Sequence, residues 1–225
     1  KETIDIKAMT AKEEDILLSQ AYIKKGTVIE ELIKSCVMNP NANIDDLTLG
    51  DRNALSIAIR ITGYGTDYKA RVTCPHCDHV NEKVFDLSNL AIKRIGAHPV
   101  KPGINLFEFK LPVSKKTVHF KIMTGKDERL KKQQMESYAH ALGDTSIGAV
   151  TSHLSFIIQS IDGITDQGKI NKFVNIMPAL DAKKLREYIS DIQPGIDMDA
   201  SLTCDNCNTT STVSLPFTGE LFWPS

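Results

Sequence analysis

The sequence predicts an α+β fold with two pseudo-equivalent helical units, each ending in a strand–CxxC–strand hairpin, and with a β-hairpin inserted between the units. Three observations support this prediction. Apolar residues recur at helical spacing in both halves, a tight cysteine pair follows the helices of each half, and a stretch in the middle alternates apolar and polar residues. The expected boundaries are 1–103 for the first unit, 104–123 for the hairpin insertion and 124–225 for the second unit.

Helix-start signals open the first half. Thr10 with Glu13, and Thr27 with Glu30, have the spacing of a capping box, in which the hydroxyl and the carboxylate each reach the other's backbone amide. Pro40, with asparagine on either side, ends the second helix because these residues favour turns. The predicted elements of this half are helices at about 11–22, 27–38 and 48–62 and strands at 67–73 and 84–87.

The second half repeats this order after a hairpin. The hairpin joins two alternating stretches, 104–111 and 117–122, through a turn that contains Pro112. Two short segments at 162–163 and 166–168 have turn composition. The other predicted elements are a polar helix at about 126–142, a buried apolar helix at 150–161, a helix that follows Pro178 and ends near Ile192, and a strand at 196–203.

Three segments match between the halves in the same order. KAMTAKEED at 7–15 resembles KIMTGKDER at 121–129, and the LxDxxxL-like helix face that begins at Leu49 has a counterpart 130 positions later. The Val-Thr-Cys that opens the first cysteine pair matches the Leu-Thr-Cys that opens the second, again 130 positions later. We interpret this as a tandem duplication. The alternative is that short caps and CxxC turns match by chance.

The four paired cysteines, Cys74, Cys77, Cys204 and Cys207, are the strongest chemical signal in the sequence. A strand–CxxC–strand hairpin is typical of a zinc knuckle, because the tight turn lets both thiolates face one ion. Zn²⁺ takes about four such ligands in a tetrahedron, and two knuckles supply them. We therefore predict a structural tetrathiolate zinc site that joins the two repeats.

Other interpretations of the cysteines stay open at this stage. The CPHC sequence at 74–77 matches the dithiol motif of periplasmic thiol oxidases, although there the pair opens a helix. His76 or His79 could replace one cysteine in a mixed site, or each pair could form a separate disulfide. Cys36 lies on the apolar face of a helix and is expected to be a core residue.

Composition and motif searches favour a non-catalytic protein without nucleic acid or membrane partners. The formal net charge of −1 provides no basic footprint for nucleic acid or anionic lipid. The sequence has no apolar run of about 18 residues, no phosphate-binding loop and no nucleophile elbow. We expect no catalytic residues. The sequence lacks an initiator Met, so its true N-terminus is not defined.

The last residues are unusually apolar for a chain terminus. Leu221, Phe222 and Trp223 precede Pro224, and Trp223 is the only tryptophan of the chain. Aromatic side chains at an end must pack on something, since termini are usually polar and frayed. Two readings are open: an anchor that binds a partner's groove, or docking on the protein's own core.

Several of these segments together resemble a known family. They are KAMTAKEED, LTLGDRNALSIAIRITGYG, VTCPHC, KIMTGKDE and LPFTGELFWPS. The sequence resembles the baseplate hub proteins of T-even-like contractile-tailed bacteriophages, which include hub subunits and hub assembly proteins.

The resemblance implies a structural or assembly role in the virion tail baseplate, with assembly in the host cytoplasm. It implies binding to other baseplate hub and tail proteins, with the tape measure protein as a candidate partner. The alternative function is a zinc-ribbon nucleic-acid-binding or transcription-associated module, which the near-neutral charge disfavours.

Overall fold

A computed structural model describes residues 3–39, 42–142, 148–217 and 219–222. The helices, in chain order, are α1 (Ala11–Leu18), α2 (Gln20–Lys25), α3 (Val28–Cys36), α4 (Leu49–Tyr64), α5 (Gly125–Leu142), α6 (Ala149–Ile157), α7 (Gln167–Ile176) and α8 (Ala179–Ile192). The strands are β1 (Asp67–Thr73), β2 (Val80–Asp86), β3 (Ile92–Lys93), β4 (Phe107–Lys110), β5 (Thr117–Phe120), β6 (Ile158–Ile161), β7 (Gly195–Ile196), β8 (Asp199–Thr203) and β9 (Thr210–Ser214). The described part of the chain contains no helix that is both long and apolar enough to cross a membrane.

The chain divides into two compact units. Unit 1 consists of Lys1–Ile44, Gly50–Lys93 and Gly195–Ser225, and unit 2 consists of Asp45–Leu49 and Arg94–Pro194. These boundaries describe packing, whereas the predicted boundaries at 1–103, 104–123 and 124–225 describe sequence repeats. The repeat therefore remains a prediction.

Unit 1 contains both cysteine hairpins. Strand β1 pairs antiparallel with β2, strand β8 pairs antiparallel with β9, and the short strands β3 and β7 form a third pair. Residues of β1 alternate between exposed and buried, as the period-2 pattern of its sequence predicts, so that one face of the strand joins the core. Buried apolar residues of the unit include Leu17, Leu32, Ile33, Ile57, Phe85, Leu202 and Leu215.

Unit 2 packs helices on a three-stranded sheet of order β4-β5-β6. The predicted hairpin is present, with Phe107 opposite Phe120 and Lys110 opposite Thr117. Strand β5 also pairs with β6, so the hairpin is part of a larger sheet. One cluster of buried apolar residues spans the sheet and helices α6 to α8, with Phe107, Phe120, Leu154, Leu185 and Ile192 among its members.

Several predicted elements differ from the observed ones, among them the strand predicted over 196–203, which is divided into β7 and β8. The helix predicted over 11–22 is interrupted at Ser19, where a new helix begins. The apolar stretch predicted as a helix over 150–161 is helical only to Ile157, because Ile158 pairs with Phe120 and continues as strand β6. The turn predicted at 166–168 is the start of α7, where the Asp166 carboxylate accepts a hydrogen bond from the Lys169 amide and caps the helix.

Candidate metal centre

The two cysteine hairpins have the same backbone geometry. In the first, the Cys74 amide donates to the His79 carbonyl at 2.9 Å, and the Asp78 amide donates to the Cys74 carbonyl at 3.0 Å. The second repeats both bonds 130 positions later, from Cys204 to Thr209 at 3.1 Å and from Asn208 to Cys204 at 3.0 Å. Asp78 and Asn208 both have left-handed φ values, 56° and 53°, which turn the chain back after the second cysteine of each pair.

These turns bring four sulfur atoms together. The Sγ atoms of Cys74, Cys77, Cys204 and Cys207 all lie within 4.8 Å of one another, as a group that could hold a metal ion. Two distances link the hairpins: Cys74 Sγ to Cys207 Sγ is 3.7 Å, and Cys77 Sγ to Cys204 Sγ is also 3.7 Å. A tetrahedron with Zn–S bonds of about 2.3 Å has edges of about 3.8 Å, so the residues present fit a tetrathiolate zinc ion.

Polar groups surround the sulfur cluster. The Asn81 amide group donates to Cys204 Sγ at 3.6 Å, and the Asn206 side chain donates to Cys77 Sγ at 3.6 Å. The Asn206 backbone amide also donates to Cys204 Sγ, at 3.4 Å. Such N–H donors stabilise negatively charged thiolates, which are the form of cysteine that binds metals.

Hydrogen bonds and burial shift the pKa values of Cys74, Cys204 and Cys207 in different directions. The backbone amide of Cys207 is the largest of several donors that lower the pKa of Cys204 to about 6. The Thr209 hydroxyl and amide lower the pKa of Cys207. Cys74 also receives a backbone hydrogen bond, from His76, but burial and the neighbouring sulfurs raise its pKa to about 11. Cys204 therefore loses its proton more readily than Cys74, and the thiolate is the form of cysteine that binds a cation.

The alternatives left open by the sequence can now be compared with this geometry. The metal-capable group consists of cysteines alone, and both His76 and His79 are exposed. All five cysteines are free thiols. The first pair lies in a β-hairpin and does not open a helix, unlike the dithiol of the oxidases. Cys36 is fully buried on α3, as predicted for a core residue.

The predicted C-terminal anchor residues have two different outcomes. Leu221 and Phe222 are each 1% exposed, so both pack inside the chain. The Arg60 guanidinium, itself buried on α4, donates to the Leu221 carbonyl at 2.8 Å and also to two carbonyls at the end of its own helix and the start of β1. Trp223 lies outside the described residues. A partner role for these three residues remains a prediction.

Three residues that organise this region were missed at the sequence level. Asn81 and Asn206 contact the sulfurs, and the signal for Asn206 was its position between two cysteines. The signal for Arg60 was a charged residue within the otherwise apolar stretch Ile57–Ile61 of α4. Nothing in the sequence marks Asn81, because its role depends on a hairpin 123 residues away.

Fold and site together define a class of protein, a small α+β chain with a four-cysteine centre built from two β-hairpins. A family model described as T4 bacteriophage base plate protein matches residues 1–223, and the chain belongs to that family. Neither the curated proteins nor the solved structures compared with the chain gave a match. The family makes the protein a structural component of the phage tail baseplate, which interacts with other tail proteins.

Proposed function

We propose that this protein is a structural or assembly component of the baseplate hub, a zinc-stapled scaffold that binds other hub and tail proteins. The observation that carries the proposal is the family match over residues 1–223, which covers nearly the whole chain. The four-cysteine centre supports the scaffold part, because a tetrathiolate site has no open position for substrate and adds folding free energy. We propose no catalytic residue.

Zinc is the proposed ion because of the ligand set and its spacing. Four sulfur ligands in a tetrahedron favour Zn²⁺ or an iron–sulfur centre. The two distances of 3.7 Å between hairpins equal the tetrahedral edge expected around one Zn²⁺ ion. An iron–sulfur cluster places several metal atoms between the thiolates, which requires a wider sulfur frame.

Metal analysis of the purified chain tests the ion. We expect about one zinc per chain, no iron, and no zinc after replacement of Cys204 and Cys207 by serine. Two zinc ions per chain, or none, would refute the shared site. Detection of iron together with visible absorption would show that the site holds an iron centre and not zinc.

A pull-down from phage-infected cells tests the hub role. The tagged full chain should recover hub and tail proteins, the tape measure protein included, at fixed stoichiometry. The same bait should do so when the outer parts of the baseplate are missing from the infecting phage. Recovery only of outer baseplate proteins would place the chain elsewhere in the baseplate and would overturn the hub proposal.

A matched pair of C-terminal variants tests Leu221, Phe222 and Trp223 as partner anchors. Deletion of 221–225 removes two buried side chains and the carbonyl that Arg60 binds, so it is expected to damage the fold as well as any interface. Trp223→Ala leaves those contacts in place. If Trp223 is the anchor, Trp223→Ala loses the complex while the unfolding temperature stays unchanged. Normal recovery of partners by this variant would refute the anchor.

A further inference from the structure

We propose that Asn81 is a positioning residue that clamps the second cysteine hairpin onto the first and limits the rate at which the metal leaves. This inference rests on the proposed zinc site. Asn81 lies on β2, opposite Val72 of β1, and not in either CxxC turn. It nevertheless makes three hydrogen bonds within the two cysteine turns, with the His79 carbonyl, Cys204 Sγ and the Asp205 amide.

The Asn81 side chain is held on both sides of its amide. Its Nδ2 atom donates to the His79 carbonyl at 3.0 Å, within its own hairpin, and to Cys204 Sγ at 3.6 Å, in the other hairpin. Its Oδ1 atom accepts from the Asp205 backbone amide at 2.8 Å. The residue is 1% exposed. One buried side chain therefore fixes a metal ligand and the backbone beside it.

Asn206 makes the reciprocal contact more weakly. Its side chain donates to Cys77 Sγ at 3.6 Å, from the second hairpin to the first, but the residue is exposed. An exposed amide can exchange its sulfur contact for water, whereas a buried one cannot do so without cost. The two contacts between the hairpins thus have similar lengths, but loss of the buried Asn81 contact should cost more than loss of the exposed Asn206 contact.

The counterpart of Asn81 in the second hairpin makes no equivalent contact among the described residues. The residue 130 positions later is Ser211, on β9. Its hydroxyl is buried and has no hydrogen-bond partner within the described part of the chain. The short serine side chain makes no bond to the first hairpin, so Asn81 is the buried side chain that joins the two turns.

The chemistry of the site explains why this clamp controls metal loss. Four thiolates on one Zn²⁺ leave an excess negative charge, and N–H donors to sulfur stabilise that charge. Dissociation of the metal begins when one ligand moves away. The hydrogen bonds of Asn81 to Cys204 Sγ and to the Asp205 amide oppose the movement of Cys204. Outer hydrogen-bonding partners of metal ligands are typically worth about 10–100-fold in metal affinity.

Zinc transfer from the full-length protein to a coloured chelator tests the proposal. We expect Asn81→Ala to release zinc about 10–100-fold faster than the parent protein. Asn81→Leu, which fills the same volume without any hydrogen bond, should behave alike. Asn206→Ala should change the rate by less than about threefold, since its contact is exposed.

Two controls separate positioning from general destabilisation. Leu32→Ala removes a buried side chain of α3 in the same unit and should lower the unfolding temperature without shifting the sulfur-to-cobalt absorption bands of the Co²⁺-substituted protein. Asn81→Ala should shift those bands. Equal zinc release from Leu32→Ala and Asn81→Ala, or a parental rate from both Asn81 variants, would overturn the clamp. A parent protein that binds no zinc would instead overturn the proposed metal site.

Discussion

Unit 1 and unit 2 are stabilised in different ways. Unit 2 is almost one continuous segment, 94–194, and encloses a single cluster of buried apolar side chains. Unit 1 is assembled from three separate segments, and its last segment, 195–225, joins the others through long-range links. These links include the β3–β7 pair, the sulfur cluster, the bond from Arg60 to the Leu221 carbonyl and the bond from the Tyr68 hydroxyl to the Pro216 carbonyl.

The difference shows what a metal staple contributes. Closing a long loop costs conformational entropy before any contact forms, and 126 residues separate the two cysteine pairs. In unit 2 the apolar core offsets this cost for neighbouring elements. In unit 1 the small β8–β9 hairpin must be retained, and the proposed ion would supply free energy that a two-stranded sheet lacks.

Metal removal should therefore destabilise unit 1 much more than unit 2, and this is the largest effect we expect. Structural zinc contributes about 10–16 kcal/mol in small zinc-binding peptides, which is comparable to the total stability of a domain, about 5–15 kcal/mol. Hydrogen exchange should show loss of amide protection in β1, β2, β8 and β9 after chelation. Protection in β5 of unit 2 should persist.

Readdition of zinc provides the control for this experiment. Protection of the hairpins should return with one equivalent of Zn²⁺, but not in a Cys204→Ser variant. Uniform loss of protection across both units would show that the apolar cluster of unit 2 cannot keep that unit folded without the metal. Unchanged protection of the hairpins would show that unit 1 does not need its staple.

Loss of the Arg60 side chain should have the next largest effect. Arg60→Met keeps the apolar stem but leaves the carbonyls of Leu221, Gly65 and Asp67 without their donor. An unsatisfied buried polar group costs about 1–3 kcal/mol, so we expect a loss of about 3 kcal/mol in the free energy of unfolding. Denaturant unfolding measures this loss, and limited proteolysis should show earlier cleavage near residue 221.

Arg71→Met is the matched control for this variant. Arg71 is an exposed arginine on β1, in the same unit. We expect its replacement to change the unfolding free energy by less than about 0.5 kcal/mol. If both variants lose the same amount, the charge of unit 1 matters more than the three buried hydrogen bonds, and Arg60 is not the link we describe.

Local signals in the sequence were enough to predict most elements of both units. The Thr10–Glu13 capping box is present at the start of α1, and β1 spans the predicted residues 67–73. Errors occurred where tertiary pairing overrides local preference. Ile158 continues an apolar helical pattern, yet it lies opposite Phe120 in a sheet that only the folded chain creates.

The candidate site was predictable in its ligands and not in its surroundings. Paired cysteines at CxxC spacing indicate a metal or redox role in the sequence itself, whereas the role of Asn81 depends on its contact with the second hairpin. The proposed duplication has new support from the backbone. The Lys7 amide donates to the Cys36 carbonyl at 2.9 Å, and the Lys121 amide, at the matching position, donates to the Ile157 carbonyl at 3.0 Å.

The helix starts of the two units permit a finer comparison. Glu13 is fully buried and binds the Lys7 ammonium at 2.8 Å, the Ser35 hydroxyl at 2.6 Å and the Thr10 amide at 2.9 Å. Its counterpart Asp127 binds the Lys121 ammonium at 2.6 Å and the amide and hydroxyl of Thr124. We expect Glu13→Gln to cost about 2–3 kcal/mol and Asp127→Asn about 1–2 kcal/mol, since the described residues give Asp127 two partner residues and Glu13 three.

Acid titration tests the same two carboxylates, because their lowered pKa values fix the direction in which stability changes with pH. Burial alone would raise the pKa of both carboxyls, but the hydrogen bonds from Lys7 and Lys121 and from the two threonines hold both pKa values below their ordinary range. The unfolded forms bind protons first, near pH 4.5 for Glu13 and pH 3.8 for Asp127, so stability present at neutral pH falls as the pH drops below these values. Each neutral variant should show a shallower fall than the parent protein. An unchanged slope would exclude that carboxylate as an acid-sensitive contact.

The smallest effect concerns the two cysteine turns, which share a backbone and differ in side chains. Asp78 and Asn208 occupy left-handed conformations, at φ 56° and 53°, where a residue with a β-carbon other than Asn or Asp is strained. Alanine at either position should lower the free energy of unfolding by about 1 kcal/mol, while glycine should change it by less than about 0.5 kcal/mol because relief of strain offsets the greater freedom of the unfolded chain. Thermal unfolding of the zinc-loaded protein measures both pairs. Equal losses for Asp78→Ala and Asn208→Ala would show that the two turns have equivalent backbones, so that the hairpins differ at Asn81 and Ser211. A larger loss at one turn would show that the turns themselves also differ.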